Sequence, residues 1–97
     1  MNKHYILKDK KTEEVDLMTW ATWFETAERH VAKEKVGEVT VSTIFLGIGH
    51  SFGYGPPLLF ETMVFGGQLD QEMERYTTYN EAESGHKKMV ERVKSTT

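Results

Sequence analysis

The sequence predicts a single α+β domain, an antiparallel sheet of three to five strands covered by two helices, from three features. Residues 39–46 and 58–65 are rich in β-branched and aromatic side chains and alternate with the period of a strand. Two other stretches, after Asp16 and after Thr78, place apolar residues three and four apart, as one face of a helix does. Turn-forming residues gather at 9–12, 47–57 and 66–67 with no linker or repeat between them, so the 97 residues read as one domain, 1–97.

His4 to Leu7 reads as a short strand, and the polar turn Asp9-Lys10-Lys11-Thr12 returns the chain through a second strand at 13–15. Asp16 suits a helix N-cap, because its carboxylate can accept from an otherwise unpaired backbone amide of the first turn. Leu17, Trp20, Phe24, Ala27 and Val31 then form one stripe, which predicts a helix running to about Lys33. Gly37 ends that segment. In the strand at 39–46, Val39, Val41, Thr43 and Phe45 share a face, and the strand at 58–65 is apolar on both faces, which predicts a central position. Gly66-Gly67 makes a tight turn into an outer strand at 72–77, with Met73 and Arg75 on one side. Thr78 and Glu81 have the spacing of a capping box. The helix it opens buries Ala82, His86, Met89, Val90 and Val93 and covers the sheet.

Composition narrows the function. A net charge of -3 argues against a protein that coats duplex nucleic acid, which needs an excess of Lys and Arg to replace phosphate counterions. With no cysteine there is no disulfide framework, thiol nucleophile or thiolate metal site, as suits a cytoplasmic protein. No stretch approaches the apolar length of a membrane helix or of a signal peptide. His4, His30, His50 and His86 lie far apart, without the short spacings of a zinc site, so no metal or other cofactor is expected. Ser51 beside His50 makes no triad, since adjacent side chains rarely face one another, and Glu61 and Glu72 have no defined separation as an acid–base pair. The protein is therefore expected not to be an enzyme.

The most unusual segment is 47–57. Six of the eight glycines lie between Gly47 and Gly67, and both prolines are adjacent at Pro56 and Pro57. Glycines permit close approach by another surface, while the prolines restrict the exit of the segment. His50, Ser51, Phe52 and Tyr54 offer hydrogen bonds and flat rings able to stack on a base. The glycine spacing is wrong for a dinucleotide-binding loop, a strand follows where a helix is required, and no Gly-Lys-Ser or Gly-Lys-Thr phosphate loop is present. Packing of these rings over the end of the core is the alternative to binding. Trp23, at the margin of the first helix stripe, joins the candidate site because an indole offers both a stacking face and a donor. Arg29 and Arg75 are candidates for holding an anionic ligand, provided that they converge with the loop.

The runs Asp16-Leu17-Met18-Thr19-Trp20-Ala21-Thr22-Trp23-Phe24-Glu25, Val41-Ser42-Thr43-Ile44-Phe45-Leu46-Gly47 and Gly55-Pro56-Pro57-Leu58-Leu59-Phe60-Glu61-Thr62-Met63-Val64-Phe65-Gly66-Gly67 extend the comparison across most of the chain. In them the chain resembles small phage and prophage proteins and, among these, anti-CBASS sponges, which sequester cyclic-nucleotide immune signals without cleaving them. The resemblance implies a phage immune-evasion protein in the host bacterial cytoplasm, a homo-oligomer, dimer or tetramer, and a cyclic dinucleotide such as cGAMP as its partner. It carries no residue pattern for the site, which rests on residue chemistry alone. A core of this size has little room to enclose such a ligand, so the pocket is expected at a subunit boundary. Two alternatives remain: an inhibitor or adaptor that docks the same loop and Trp23 on a host protein, and a small nucleotide-processing enzyme.

Overall fold

The computed structural model describes residues 3–50 and 55–96. In chain order the elements are β1 (His4–Lys8), β2 (Lys11–Val15), α1 (Leu17–Thr26), β3 (His30–Val36), β4 (Val39–His50), β5 (Leu58–Phe65), β6 (Met73–Tyr76) and α2 (Tyr79–Ser95). The α+β class stands, with two helices and six antiparallel strands among the described residues in place of the three to five strands expected. The sheet runs β2-β1-β4-β5-β6, and β3 pairs with β4 beside that path.

The additional strand is the stretch read from sequence as the end of the first helix. Asp16 does cap α1, its carboxylate accepting from the Thr19 amide at 2.7 Å, but α1 stops at Thr26. Residues from His30 to Val36 instead form a hairpin with β4, closed by the two-residue turn Gly37-Glu38 between paired Val36 and Val39. Gly37 adopts φ +62, the conformation that such turns demand at their first position. Ala27 and Val31 fit a helical period, but from His30 onward one edge of the backbone pairs with β4 and the hairpin brings Val31 and Val36 to the core. It also sets Glu34 opposite Val41, on the face toward α2.

Among the described residues, three of the five strand pairings involve β4. Its first half pairs with β3 on one edge and β5 on the other, and beyond a break in register after Phe45 it meets β1 at Ile48 and β5 again at His50. One face of the sheet is sealed by α2. Val39, Val41 and Val64 pack there against Met89, Val90 and Val93, and farther along Phe45, Leu59 and Phe60 pack with Ala82. The five residues expected to form the buried stripe of α2 are all buried, and its capping box is present. On the opposite face, Phe65 and Met73 remain exposed.

A polar chain runs through this core. Thr43, Thr62 and His86 are buried, with Thr43 Oγ1 against Thr62 Oγ1 and 2.7 Å from His86 Nδ1. Tyr76 donates its phenolic hydrogen to Thr62 Oγ1 at 3.2 Å, and burial holds that phenol above its ordinary 10.0, so it stays a donor. A single polarity satisfies the three hydroxyls and Nδ1, and leaves His86 Nε2 buried without a hydrogen-bond partner among the described residues. Tyr76 donates to Thr62, Thr62 to Thr43, and Thr43 to Nδ1 of a neutral imidazole whose proton sits on Nε2, 3.6 Å from the Glu34 carboxylate. The Tyr76 ring reaches Thr62 by passing under α2 at Gly85, where a Cβ would collide with it. Gly85→Ala is expected to cost about 1–3 kcal/mol through overpacking, read as a lower urea midpoint.

Burial pushes the His86 pKa below its ordinary 6.5, and Glu34 opposes that effect only in part. In the window below 6.5 the unfolded chain therefore binds more protons at this residue than the folded protein, and stability rises with pH there. The contribution is complete above 6.5 and is lost as pH falls from that value toward the lower folded-state pKa. Urea denaturation followed between about pH 7 and 5, above the range where carboxylates titrate, should show a declining midpoint that flattens in His86→Gln.

Candidate ligand-binding site

Residues 47–50, read as part of a loop, continue β4 as strand. Gly47 adopts φ +81 and lies where the β4–β5 register shifts. A Cβ there would come within 3.0 Å of Trp20 Nε1 and 3.1 Å of Phe24 Cε2, so the bare glycine is what lets α1 lay two aromatic rings directly on the strand. Two positions farther on, Gly49 lies beneath the rings of Tyr5 and Pro57, which a Cβ would approach to 3.0 and 3.2 Å.

The two rings on Gly47 belong to a longer column. The His4 imidazole lies 4.9 Å from Trp20, Trp20 lies 4.7 Å from Phe24, and the Arg29 guanidinium sits 4.3 Å from the centre of the Phe24 ring. Such a cation over an aromatic face is held by the ring quadrupole. Arg29 also grips β4 twice, accepting from the Phe45 amide through its carbonyl at 2.8 Å and donating from Nη1 to the Phe45 carbonyl at 3.0 Å. Of the five N–H donors of a guanidinium, that is the one engaged among the described residues. Trp20 Nε1 is buried with no hydrogen-bond partner among the described residues. The column thus offers fixed positive charge carried on aromatic surface next to the strand that leads into residues 51–54, with the unpaired indole donor buried beneath it.

Of the residues singled out from sequence, Trp23 and Arg29 come together around Phe24 and Phe45. Trp23 meets Phe45 edge-on at 5.6 Å and Phe24 at 6.4 Å, so its ring serves the fringe of the core more than the margin expected of it. Its free rim borders a shallow depression with Ile6, Met18, Thr19 and Thr22. Leu17, placed in the buried stripe by spacing, is exposed. Arg75 does not converge with Arg29. It pairs with Glu61 across β5 and β6, Nε to Oε2 at 3.1 Å, on the sheet face away from α2. Ser51, Phe52, Tyr54 and the side chain of His50 lie outside the described residues.

Sequence reasoning missed His4, Trp20, Phe24 and Gly47 as members of one site. Trp20 and Phe24 were visible as an i, i+4 pair, but their spacing announces a core stripe, and nothing local shows that a glycine 20 or more residues away receives them. Among the described residues, no group of three or more His, Asp or Glu side chains is placed to hold a metal ion, and no helix is long and apolar enough to cross a membrane. No family model, curated protein or solved structure matches the chain.

Gly47→Ala is expected to destabilise the fold by about 1–3 kcal/mol, since it combines positive-φ strain with crowding of two rings. Urea denaturation monitored by tryptophan emission checks both effects, with a shifted native emission marking displacement of Trp20.

Proposed function

We propose that this protein binds and sequesters a cyclic nucleotide, of the cyclic dinucleotide class, without cleaving it. The observation that carries this reading is the His4–Trp20–Phe24–Arg29 column, which sets a guanidinium with unused donors on aromatic surface at the root of the 47–57 segment. A guanidinium recognises phosphate by charge and by parallel N–H donors, and flat rings receive bases of any identity. The donor set contains no nucleophile with an adjacent base, which favours holding over cleaving.

The resemblance to small phage proteins supports the ligand class and, with it, a role in evading host immunity from within the bacterial cytoplasm. Homo-oligomerisation, as dimer or tetramer, is part of the same proposal. In its support, the sheet face opposite α2 carries Ile44, Met63, Phe65 and Met73 with no described element over it, and Phe65 and Met73 are 49% and 43% exposed. A second reading, docking of the 47–57 segment and Trp23 on a host protein, is favoured by the exposed depression beside Trp23.

Native mass spectrometry of the purified protein, followed by calorimetric titration with cyclic dinucleotides, tests the proposal. Saturable binding and recovery of intact ligand after heating are expected, whereas failure to bind any cyclic nucleotide would overturn it. Phe52→Ala and Tyr54→Ala should each weaken binding by about 1–3 kcal/mol per lost stacking contact while leaving the melting temperature unchanged.

A further inference from the structure

We propose that protonation of His86 reverses the direction of the buried hydrogen-bond chain, so that the Tyr76 hydroxyl turns from donating into the core to donating into the groove between β6 and α2. The device lies apart from the aromatic column and is independent of the nucleotide reading.

Each hydroxyl of the chain has a single hydrogen to give. Among the described residues, Thr43 Oγ1 meets only Thr62 Oγ1 and His86 Nδ1, and Thr62 Oγ1 meets only Thr43 and the Tyr76 hydroxyl. In the neutral ring the hydrogen sits on Nε2, because a bare Nε2 would set its lone pair against the Glu34 carboxylate 3.6 Å away. Nδ1 is then the basic nitrogen, and it accepts from Thr43 at 2.7 Å. A proton arriving there makes Nδ1 a donor along the same axis. Thr43 must then turn its hydrogen to Thr62, Thr62 must turn its own to Tyr76, and Tyr76 must turn away from Thr62. The three contacts persist while all three directions invert.

The displaced hydrogen has one direction to take. Tyr76 lies under α2 at Gly85 and lines a groove of about 620 Å³ together with Glu74, Asn80, Ser84 and Lys88. Burial and, after it, the charge of Glu74 raise the Tyr76 pKa, so the phenol keeps its hydrogen in both states. With His86 neutral, Tyr76 offers the groove an oxygen lone pair. With His86 protonated, it offers the groove a hydrogen, for which a carboxylate such as that of Glu74 or an acceptor on a bound molecule is a partner.

The surroundings of the ring admit the charged form. α2 packs on β3, β4, β5 and β6. From β3, Glu34 faces Nε2, and its attraction opposes the burial that lowers the His86 pKa. The residues of β4 and β5 that face α2, Val41, Thr43 and Phe45 with Phe60, Thr62 and Val64, are uncharged. β6 contributes Glu74, beside Tyr76. The turn before β6 contributes Asp70 and Glu72, which accept from the Gly66 amide and from Arg92. On α2 itself, Glu83 precedes His86 by almost one turn and Lys87 is exposed. Nε2 is buried without a hydrogen-bond partner among the described residues, whereas the Glu34 side chain is half-exposed and free to close on a cationic ring. Protonation thus supplies the partner that the neutral ring lacks. Because the folded-state pKa lies below 6.5, the inversion falls in the window below that value.

The test is NMR of the full chain carrying nitrogen-15 histidine and tyrosine labelled with carbon-13 at Cζ, titrated from about pH 7.5 down through the His86 midpoint. At the start of the titration Nε2 should carry the hydrogen and Nδ1 none. The Tyr76 Cζ signal should then shift with the same midpoint as the His86 ring. Thr62→Val keeps the side-chain volume and cuts the chain, so it should abolish the Tyr76 response, and Thr62→Ser should restore it. Tyr76→Phe deprives Thr62 of an acceptor in the inverted state alone, and should lower the His86 midpoint by about one pH unit. A Tyr76 signal that ignores the His86 titration, or an equal response in Thr62→Val, would overturn the proposal. So would a hydrogen on Nδ1 of the neutral ring, or a His86 midpoint that Tyr76→Phe leaves unchanged or raises. The parent protein and Tyr76→Phe decide the matter even where Thr62→Val does not fold.

Discussion

β4 is the strand on which the rest of the molecule depends, and its behaviour turns on the absence of a side chain at Gly47. Up to Phe45 the strand keeps an unbroken register with β5 and pairs with β3 through one irregularity between His30 and Ala32, and its alternating residues face α2. At Gly47 the backbone enters positive φ, the register with β5 shifts, and the edge that served β3 becomes available to β1. Without that change, the β1–β2 hairpin would have no seat in the sheet and α1 no surface for its rings. A glycine is required twice over, for the backbone angle and for the contact distance to Trp20 and Phe24.

The same strand couples the two regions of interest. Phe45 holds Arg29 through its amide and carbonyl while its ring joins the cluster under the start of α2. Two positions earlier, Thr43 relays hydrogen bonding between Thr62 and His86. Directional hydrogen bonds from Tyr76 through Thr62 and Thr43 to His86 Nδ1 fix where α2 sits on the sheet, while Nε2 of the same ring stays buried without a hydrogen-bond partner among the described residues. They also fix the Tyr76 ring beneath Gly85, which forms the floor of the groove beside β6.

Charge is distributed unevenly over this frame. Net charge is -3, yet Arg29 and Lys88 each present cationic groups with unused hydrogen-bonding capacity at separate concave or aromatic sites. Arg75, by contrast, is committed to Glu61 at 3.1 Å, with both side chains largely buried on the sheet face. The distinction matters because a cation already paired contributes little to capturing a further anion, whereas one positioned by an aromatic face or carbonyl retains most of its donors.

Much of the fold was legible in the residues. The Asp16 cap, the Thr78–Glu81 capping box and the buried stripe from Ala82 to Val93 follow from local spacing, because caps and amphipathic stripes express forces acting within a few residues. The central place expected for 58–65 belongs instead to β4, with β5 next to the edge strand. The segment from His30 to Val36 was not legible. Ala27 and Val31 fit a helical period, and only the hairpin with β4 decides the matter, by supplying hydrogen-bond partners that no local pattern records. The candidate site divides in the same way. Its residue types, an arginine, clustered aromatics and permissive glycines, were determined by the sequence alone. Which of them meet was decided by tertiary structure, since the Gly47 backbone, the α1 rings and the Arg29 guanidinium come together only through long-range packing, and the same packing sends Arg75 to the opposite face.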